Sequence, residues 1–324
     1  MGNYQLADKL TFYTSYPLYA YASGMLELLE SDPDLTQEQL FNLINLNPSK
    51  ISTFNTDALD TIGFYINHKI KPDFFMTLGH NFAEQQNITL LGDDGELSAS
   101  QVVNSNIDTD CEYNGWSLVD LSNVDSKSMI MQFNNGAENM IGSVLWGKKW
   151  TAPQNVDVSQ TLKVNYGYKS KKSVSGKTIS TLNYSKTGKW LLDAWELDAN
   201  TSDTRNEPTN SRNGIRTWNV NFSFLQDSKM MAQNNMLNSN NWTQDSQSEY
   251  STGADGSSLS DTNNSTDFYS AVIKQSMGGH LPLVINISDS TNSDQWAIVR
   301  ISDYQVTQSN PKFINYKLTL EEQV

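Results

Sequence analysis

Apolar and polar residues alternate along much of this chain. Ile62, Phe64 and Ile66 point one way in TIGFYINHKI, and Phe74, Met76, Leu78 and His80 do so in FFMTLGHNF. Met129, Met131 and Phe133 precede the turn residues Asn134-Asn135-Gly136. Trp218, Val220, Phe222 and Phe224 alternate with Asn219, Asn221 and Ser223. Leu283, Ile285 and Ile287 share a face, as do Trp296, Ile298 and Arg300 opposite Ala297, Val299 and Ile301. The last run sets Ile314, Tyr316, Leu318 and Leu320 against Asn315, Lys317 and Thr319. A period of two predicts half-buried antiparallel strands.

Two stretches change to helical spacing. Thr36 and Gln39 form a capping-box pair ahead of Leu40, Leu43 and Ile44, and Asn47-Pro48 ends that helix because proline cannot continue it. Thr266 or Asp267 caps a second helix with Phe268, Val272, Ile273 and Met277 on its apolar side, and Gly278-Gly279 stops it. The fold class expected is mainly β: two β-sandwich domains with two short helices. A chain of 324 residues exceeds the roughly 100–200 residues of one ordinary domain, so two are expected. A boundary near Thr151-Ala152-Pro153 divides residues 1–150, with a helical insertion near 25–47, from 151–324. Residues 229–266 are rich in Asn, Ser, Gln and Asp and too poor in apolar anchors to offset their ordering entropy alone. They read as a polar excursion, mobile or ordered only by a partner.

Charge sharpens this picture. The net charge is −14, which argues against nucleic-acid binding, since a basic surface is needed to displace counterions from phosphate. Residues 1–147 hold 19 acidic and 5 basic side chains, residues 148–192 hold 9 lysines and one acid, and residues 193–324 hold 16 acids and 8 bases. The basic band reads either as an ordinary solvated hairpin or as a surface that meets an acidic face of a neighbouring copy in a ring. Its densest part is Lys148, Lys149, Lys169, Lys171 and Lys172, the candidate assembly contacts. No stretch approaches the roughly 18 apolar residues of a membrane span. The first ten residues lack the basic start and apolar core of a signal peptide.

The chain nominates no catalytic centre and no cofactor. The lone Cys111 excludes an intrachain disulfide framework and a cysteine-rich zinc site. His68, His80 and His280 lie in strand or turn settings that suit structural hydrogen bonds, and neither HExxH nor GxSxG occurs. Ser175-Gly176-Lys177-Thr178 has the tail of a phosphate loop, but Lys171 stands where the motif needs its first glycine, and the flanks read as a hairpin. Asp108, Asp110 and Glu112 put three carboxylates on one side of an extended segment. The sixth loop position is Tyr113 rather than the glycine of a calcium loop, so a solvated acidic loop is expected and no metal is assigned.

Two stretches carry a family likeness. Phe74-Phe75-Met76-Thr77-Leu78-Gly79-His80-Asn81-Phe82, Asn87-Ile88-Thr89-Leu90 and Ile141-Gly142-Ser143-Val144-Leu145-Trp146-Gly147 resemble the jelly-roll, galactose-binding-like domain of virion proteins from tailed bacteriophages. Arg216-Thr217-Trp218, the run Met277-Gly278-Gly279-His280-Leu281-Pro282-Leu283, Asp294-Gln295-Trp296-Ala297 and the strand from Tyr316 to Glu322 are similar to the C-terminal half of tail or baseplate structural proteins of aquatic phages. The resemblance implies a jelly roll over 1–150, a β-rich assembly domain over 151–324, and no catalytic residues. It implies a virion structural protein, made in the host cytoplasm, that joins copies of itself in a ring around the tail axis beside other tail or baseplate proteins. The alternative is a carbohydrate-binding host-adhesion module, for which Asn81, Trp116, Trp146 and Trp150 are the candidate glycan contacts.

Overall fold

The strand Phe74–His80 (β5) is buried at all seven positions, so both of its faces are covered. It is the middle strand of a three-stranded sheet, between Ser143–Gly147 (β11) and Gly115–Asp120 (β8). The alternation in FFMTLGH marks Phe74, Met76 and Leu78 as one apolar face; the opposite face, with Phe75, is equally buried. The structure, a computed structural model, describes residues 9–28, 36–48, 50, 52–54, 60–80, 87–91, 97–102, 115–121, 126–133, 139–153, 161–165, 168–182, 215–226, 267–287, 296–310 and 313–323. The expected polar excursion at 229–266, Asn81 and the Asp108-Asp110-Glu112 group lie outside them.

One face of this sheet meets a five-stranded sheet ordered Leu26–Leu28 (β2), Asp60–Ile70 (β4), Ser126–Phe133 (β9), Asn87–Leu91 (β6) and Leu97–Val102 (β7). Between them lies a core of Ile62 and Phe64 against Phe75, Val119, Val144 and Trp146. Two helices close it: Tyr16–Ala22 (α1), through Tyr16 and Ala20, and Gln37–Ile44 (α2), through Leu40, Leu43 and Ile44. The capping box expected on α2 is formed, with Gln39 N–H donating to Thr36 Oγ1 at 3.3 Å and Thr36 N–H to Gln39 Oε1 at 3.0 Å. Five strands facing three in antiparallel pairing is the architecture of a jelly-roll sandwich. A short pair, Ser52–Phe54 (β3) with Asn139–Ile141 (β10), lies beside it.

The other face of the three-stranded sheet meets a seven-stranded sheet. Its order is Lys149–Thr151 (β12), Thr11–Tyr13 (β1), Leu283–Asn286 (β17), Trp296–Asn310 (β18), Phe313–Glu322 (β19), Ile215–Gln226 (β16) and Thr161–Asn165 (β13). The core between them joins Phe74, Met76, Leu78, Trp116 and Leu145 to Tyr13, Val284, Trp296 and Ile298. The far face of the large sheet carries a third core, where Phe12, Trp150, Trp218, Phe222, Leu283, Leu318 and Leu320 pack under Phe268, Ala271 and Val272.

The boundary expected near 150 falls within β12, and β1 pairs with β12 on one side and β17 on the other. Segments from both ends of the chain thus share one sheet. The second helix expected from sequence is present, but its residues Tyr269–Lys274 take π geometry. Asp267 Oδ1 accepts from Ser270 N–H at 2.9 Å at its start. The left-handed turn that ends it begins at Met277, one residue before the glycines.

Candidate functional site

The five candidate lysines divide into two groups. Lys148 and Lys149 sit where the jelly roll joins the large sheet. Lys148 is buried, and its Nζ lies 3.3 Å from Asp73 Oδ1. Lys149 N–H donates to Asp73 Oδ2 at 3.2 Å, its Nζ reaches Asp120 Oδ1 at 2.9 Å, and the ammonium lies 5.9 Å from the Tyr13 ring centre. Thr14 continues the seam: its N–H donates to Lys148 O at 3.1 Å, and its hydroxyl reaches Gln275 Oε1 at 2.7 Å. Lys148 is therefore corrected from an assembly contact to an internal one, because a buried ammonium must be paired where it lies. Lys149 is half-buried and already held by Asp120 and Tyr13.

Lys169, Lys171 and Lys172 belong to a different structure. Among the described residues, Tyr168–Lys172 (β14) and Thr178–Leu182 (β15) pair only with each other. From Lys169 to Ser180 every residue is exposed except the half-buried Ser173. The turn is built for a tight reversal. Ser173 N–H donates to Lys177 O at 2.9 Å, and Gly176 N–H donates to Ser173 O at 2.9 Å. That leaves Val174, Ser175 and Gly176 as a three-residue loop, with Gly176 at φ +81° in the left-handed position such loops require. The phosphate-loop look-alike is thus a hairpin tip.

Register and pleat assign faces to this arm. Lys171 stands opposite Ile179, and Lys169 lies two residues before Lys171. Continuing the alternation through the Ser173–Lys177 closing pair brings Lys177 to the same side. Three lysines thus surround Ile179, whose surface is 59% exposed, while Val174 at the tip is fully exposed at 110%. Lys172 lies on the opposite face. The arm contains four lysines and no acid, in a chain of net charge −14. Its chemistry is that of a cationic finger with two apolar contact points.

The candidate glycan contacts fall elsewhere. Trp146 packs on Phe64 at 5.1 Å, Trp116 on Trp296 at 4.6 Å, and Trp150 on Phe268 at 4.7 Å. All three rings are buried in the cores, so none offers a face on which a sugar could stack, and the role expected of them is corrected to packing. His80, at the end of β5, is buried, with Nε2 2.7 Å from Ser117 Oγ. Burial pushes its imidazole pKa down to about 3. His280 is exposed beyond the π-helix. Among the described residues no group of three or more His, Cys, Asp or Glu could hold a metal ion.

Two ion-paired groups carry almost no signal in the sequence. Asp73, between Pro72 and Phe74, binds both Lys148 and Lys149; its one signal is an acid placed directly before the largely apolar strand FFMTLGH. Arg216 and Glu322 form a buried pair across β16 and β19 at 2.6 Å, with Arg216 also donating to Trp296 O at 3.0 Å. A charge in register on each of two facing strands was its only trace.

No family model matches this chain, and no curated protein does. Solved structures similar to it include two from Clostridium perfringens. They are CBM32-3 of a family 31 glycoside hydrolase, with 10% identity and TM-score 0.30, and CpGH89CBM32-6, with 11% and 0.28. Each match covers 38% of this chain and 91% of the other. A third, truncated AlyQ with CBM32 and alginate lyase domains, has 11% identity and TM-score 0.29 over 68% of this chain and 49% of its own.

Proposed function

We propose that this chain is a non-catalytic virion structural protein of a bacteriophage tail or baseplate, made in the host cytoplasm and assembled with copies of itself and with other tail proteins as part of a ring around the tail axis. The observation that carries this reading is the exposed hairpin 168–182. A two-stranded hairpin alone is marginally stable in water, so an arm that joins none of the three cores of the described residues is suited to a contact outside its own chain. The rest of the architecture supports the same role: three stacked sheets joined by two buried apolar cores give a body on which such an arm can be presented. The sequence resemblance of the LGHN, IGS and GG-x-LP stretches to tail proteins supplies the setting.

The test is a quantitative protein inventory of purified phage particles from the virus that encodes the chain. Presence in a fixed number of copies per particle supports the reading. Absence from particles overturns it.

A second reading is a carbohydrate-binding host-adhesion module of the tail. The observation favouring it is the five-plus-three jelly roll, an architecture that lectin domains share with viral coat proteins. The CBM32 structures named above belong to carbohydrate-binding modules. With Trp116, Trp146 and Trp150 buried, Asn81 is the remaining one of the four candidate glycan contacts. A glycan array separates the two readings: selective, saturable binding of one glycan class favours the adhesin.

A further inference from the structure

Resting on the structural-protein reading, we propose that the partner of the 168–182 arm is a second copy of this chain, engaged head to tail: the arm of one copy lies on an acidic surface of the next. Three observations lead there. First, the arm concentrates Lys169, Lys171, Lys172 and Lys177 without an acid, whereas the whole chain has 36 acidic against 22 basic side chains. Any other copy therefore presents a predominantly negative surface, and opposite potentials steer encounter and fix register. Second, Ile179 and Val174 expose apolar surface on the lysine-bearing face and at the tip, where burial on a partner releases water. Third, Lys169, Lys171 and Lys172 along β14 discourage strand addition at that edge, and the contact is made by the face and tip.

A basic finger cannot dock on an identical basic finger, so each copy carries one donor and one acceptor surface, and in the head-to-tail arrangement proposed the arm of each copy is taken by the next. Such a contact closes into a ring when the rotation between copies divides a full turn. Nothing in this scheme needs the arm to be rigid beforehand, because docking supplies the partner surface that a two-stranded hairpin lacks.

The experiment uses the full chain and sedimentation velocity at about 50 mM and about 500 mM salt. These values bracket screening lengths from above 10 Å to below 5 Å. Wild-type protein should associate at low salt and dissociate at high salt. Lys169→Glu, Lys171→Glu and Lys177→Glu together should weaken association roughly 10- to 100-fold, each exposed charge contributing a few-fold. Val174→Asp should weaken it with the lysines intact. Both variants should keep the wild-type melting temperature, since the arm lies outside the three cores of the described residues. The decisive sample is a mixture: the triple variant retains its acceptor surface, so it should take a wild-type arm and cap growth as a heterodimer. A triple variant that associates like wild type, or a wild type that stays monomeric at low salt, overturns the inference. If that monomeric wild type is nevertheless present in particles, the tail-protein reading stands and only the identity of the arm's partner falls.

Discussion

The rings of Trp116 and Trp296 lie with their centres 4.6 Å apart, although 180 positions separate them in the chain. Trp116 comes from β8 of the jelly roll and Trp296 from the start of β18 in the large sheet. Tyr13, from the first described strand, stacks on Trp296 at 5.4 Å and meets Phe74 edge-on at 4.9 Å. The join between the two sheets is thus a packed aromatic core rather than a wet interface.

Truncation of Trp296 should be felt by both halves. Trp296→Ala removes a buried indole and leaves a cavity, which costs about 3–5 kcal/mol. A single cooperative melt in calorimetry should shift down as a unit. Two separated transitions, only one of them displaced, would show that the halves unfold independently.

Glu322 near the end of β19 is fully buried and accepts from Arg216 through both carboxylate oxygens. Glu322→Ala leaves the Arg216 guanidinium buried without its carboxylate and should cost about 3–5 kcal/mol. Replacing both residues, Arg216→Met with Glu322→Leu, should cost clearly less, because no charge is left behind. Urea melts of the single and double variants check the difference. The strand is also indispensable for its apolar face. Ile314, Tyr316, Leu318 and Leu320 are all buried, and a chain cut before Phe313 should be insoluble, with an unpaired edge on β18.

His80 makes stability depend on pH with a definite sign. Burial holds its folded-state pKa at about 3, below the ordinary 6.5. Above pH 6.5 the ring is neutral in both states and contributes no pH dependence. As pH falls from 6.5 toward 3 the unfolded chain binds a proton that the folded chain refuses, so stability is lost across that window, by an amount on the order of a few kcal/mol. The carboxylates contribute their own slope, so the measurement is a difference: His80→Gln should flatten the fall in stability between about pH 6 and pH 4 relative to wild type. Equal slopes in the two proteins would contradict this.

Gly79 and Gly142 converge on one point. A Cβ on either would collide with the backbone of Pro48, and Gly142 N–H donates to Leu78 O at 3.1 Å. Gly142→Ala should therefore destabilise the jelly roll by about 1–3 kcal/mol, since backbone must shift to admit one methyl. Gly24→Ala has open space around its Cβ but a left-handed φ, and its smaller cost would come from backbone strain alone. Thermal melts of the two variants separate close approach from strain.

These same residues show what could be read from the chain. The LGHN and IGS stretches are conspicuous in the sequence, but that their glycines clasp a proline 31 and 94 residues upstream follows only from the fold. Strand alternation and the Thr36–Gln39 capping box are local signals, and both appear where the pattern placed them. Helix α1 was not expected because Tyr16-Pro17-Leu18-Tyr19 is poor in helix formers, although Ser15 as cap and Pro17 in the first turn are start signals. The pairing of β1 with β17 spans most of the chain and leaves no local mark. Lys148 and Lys171 look alike in sequence; one is buried beside Asp73 and the other stands on an open hairpin. That distinction depends on a partner 75 residues away.

The most direct test of the central claim is an image reconstruction of phage particles that carry this chain. Copies should form a closed ring around the tail axis, with density for the 168–182 hairpin against a neighbouring copy. Copies confined to the tips of host-binding fibres, each engaging glycan and none touching another through that hairpin, would contradict it.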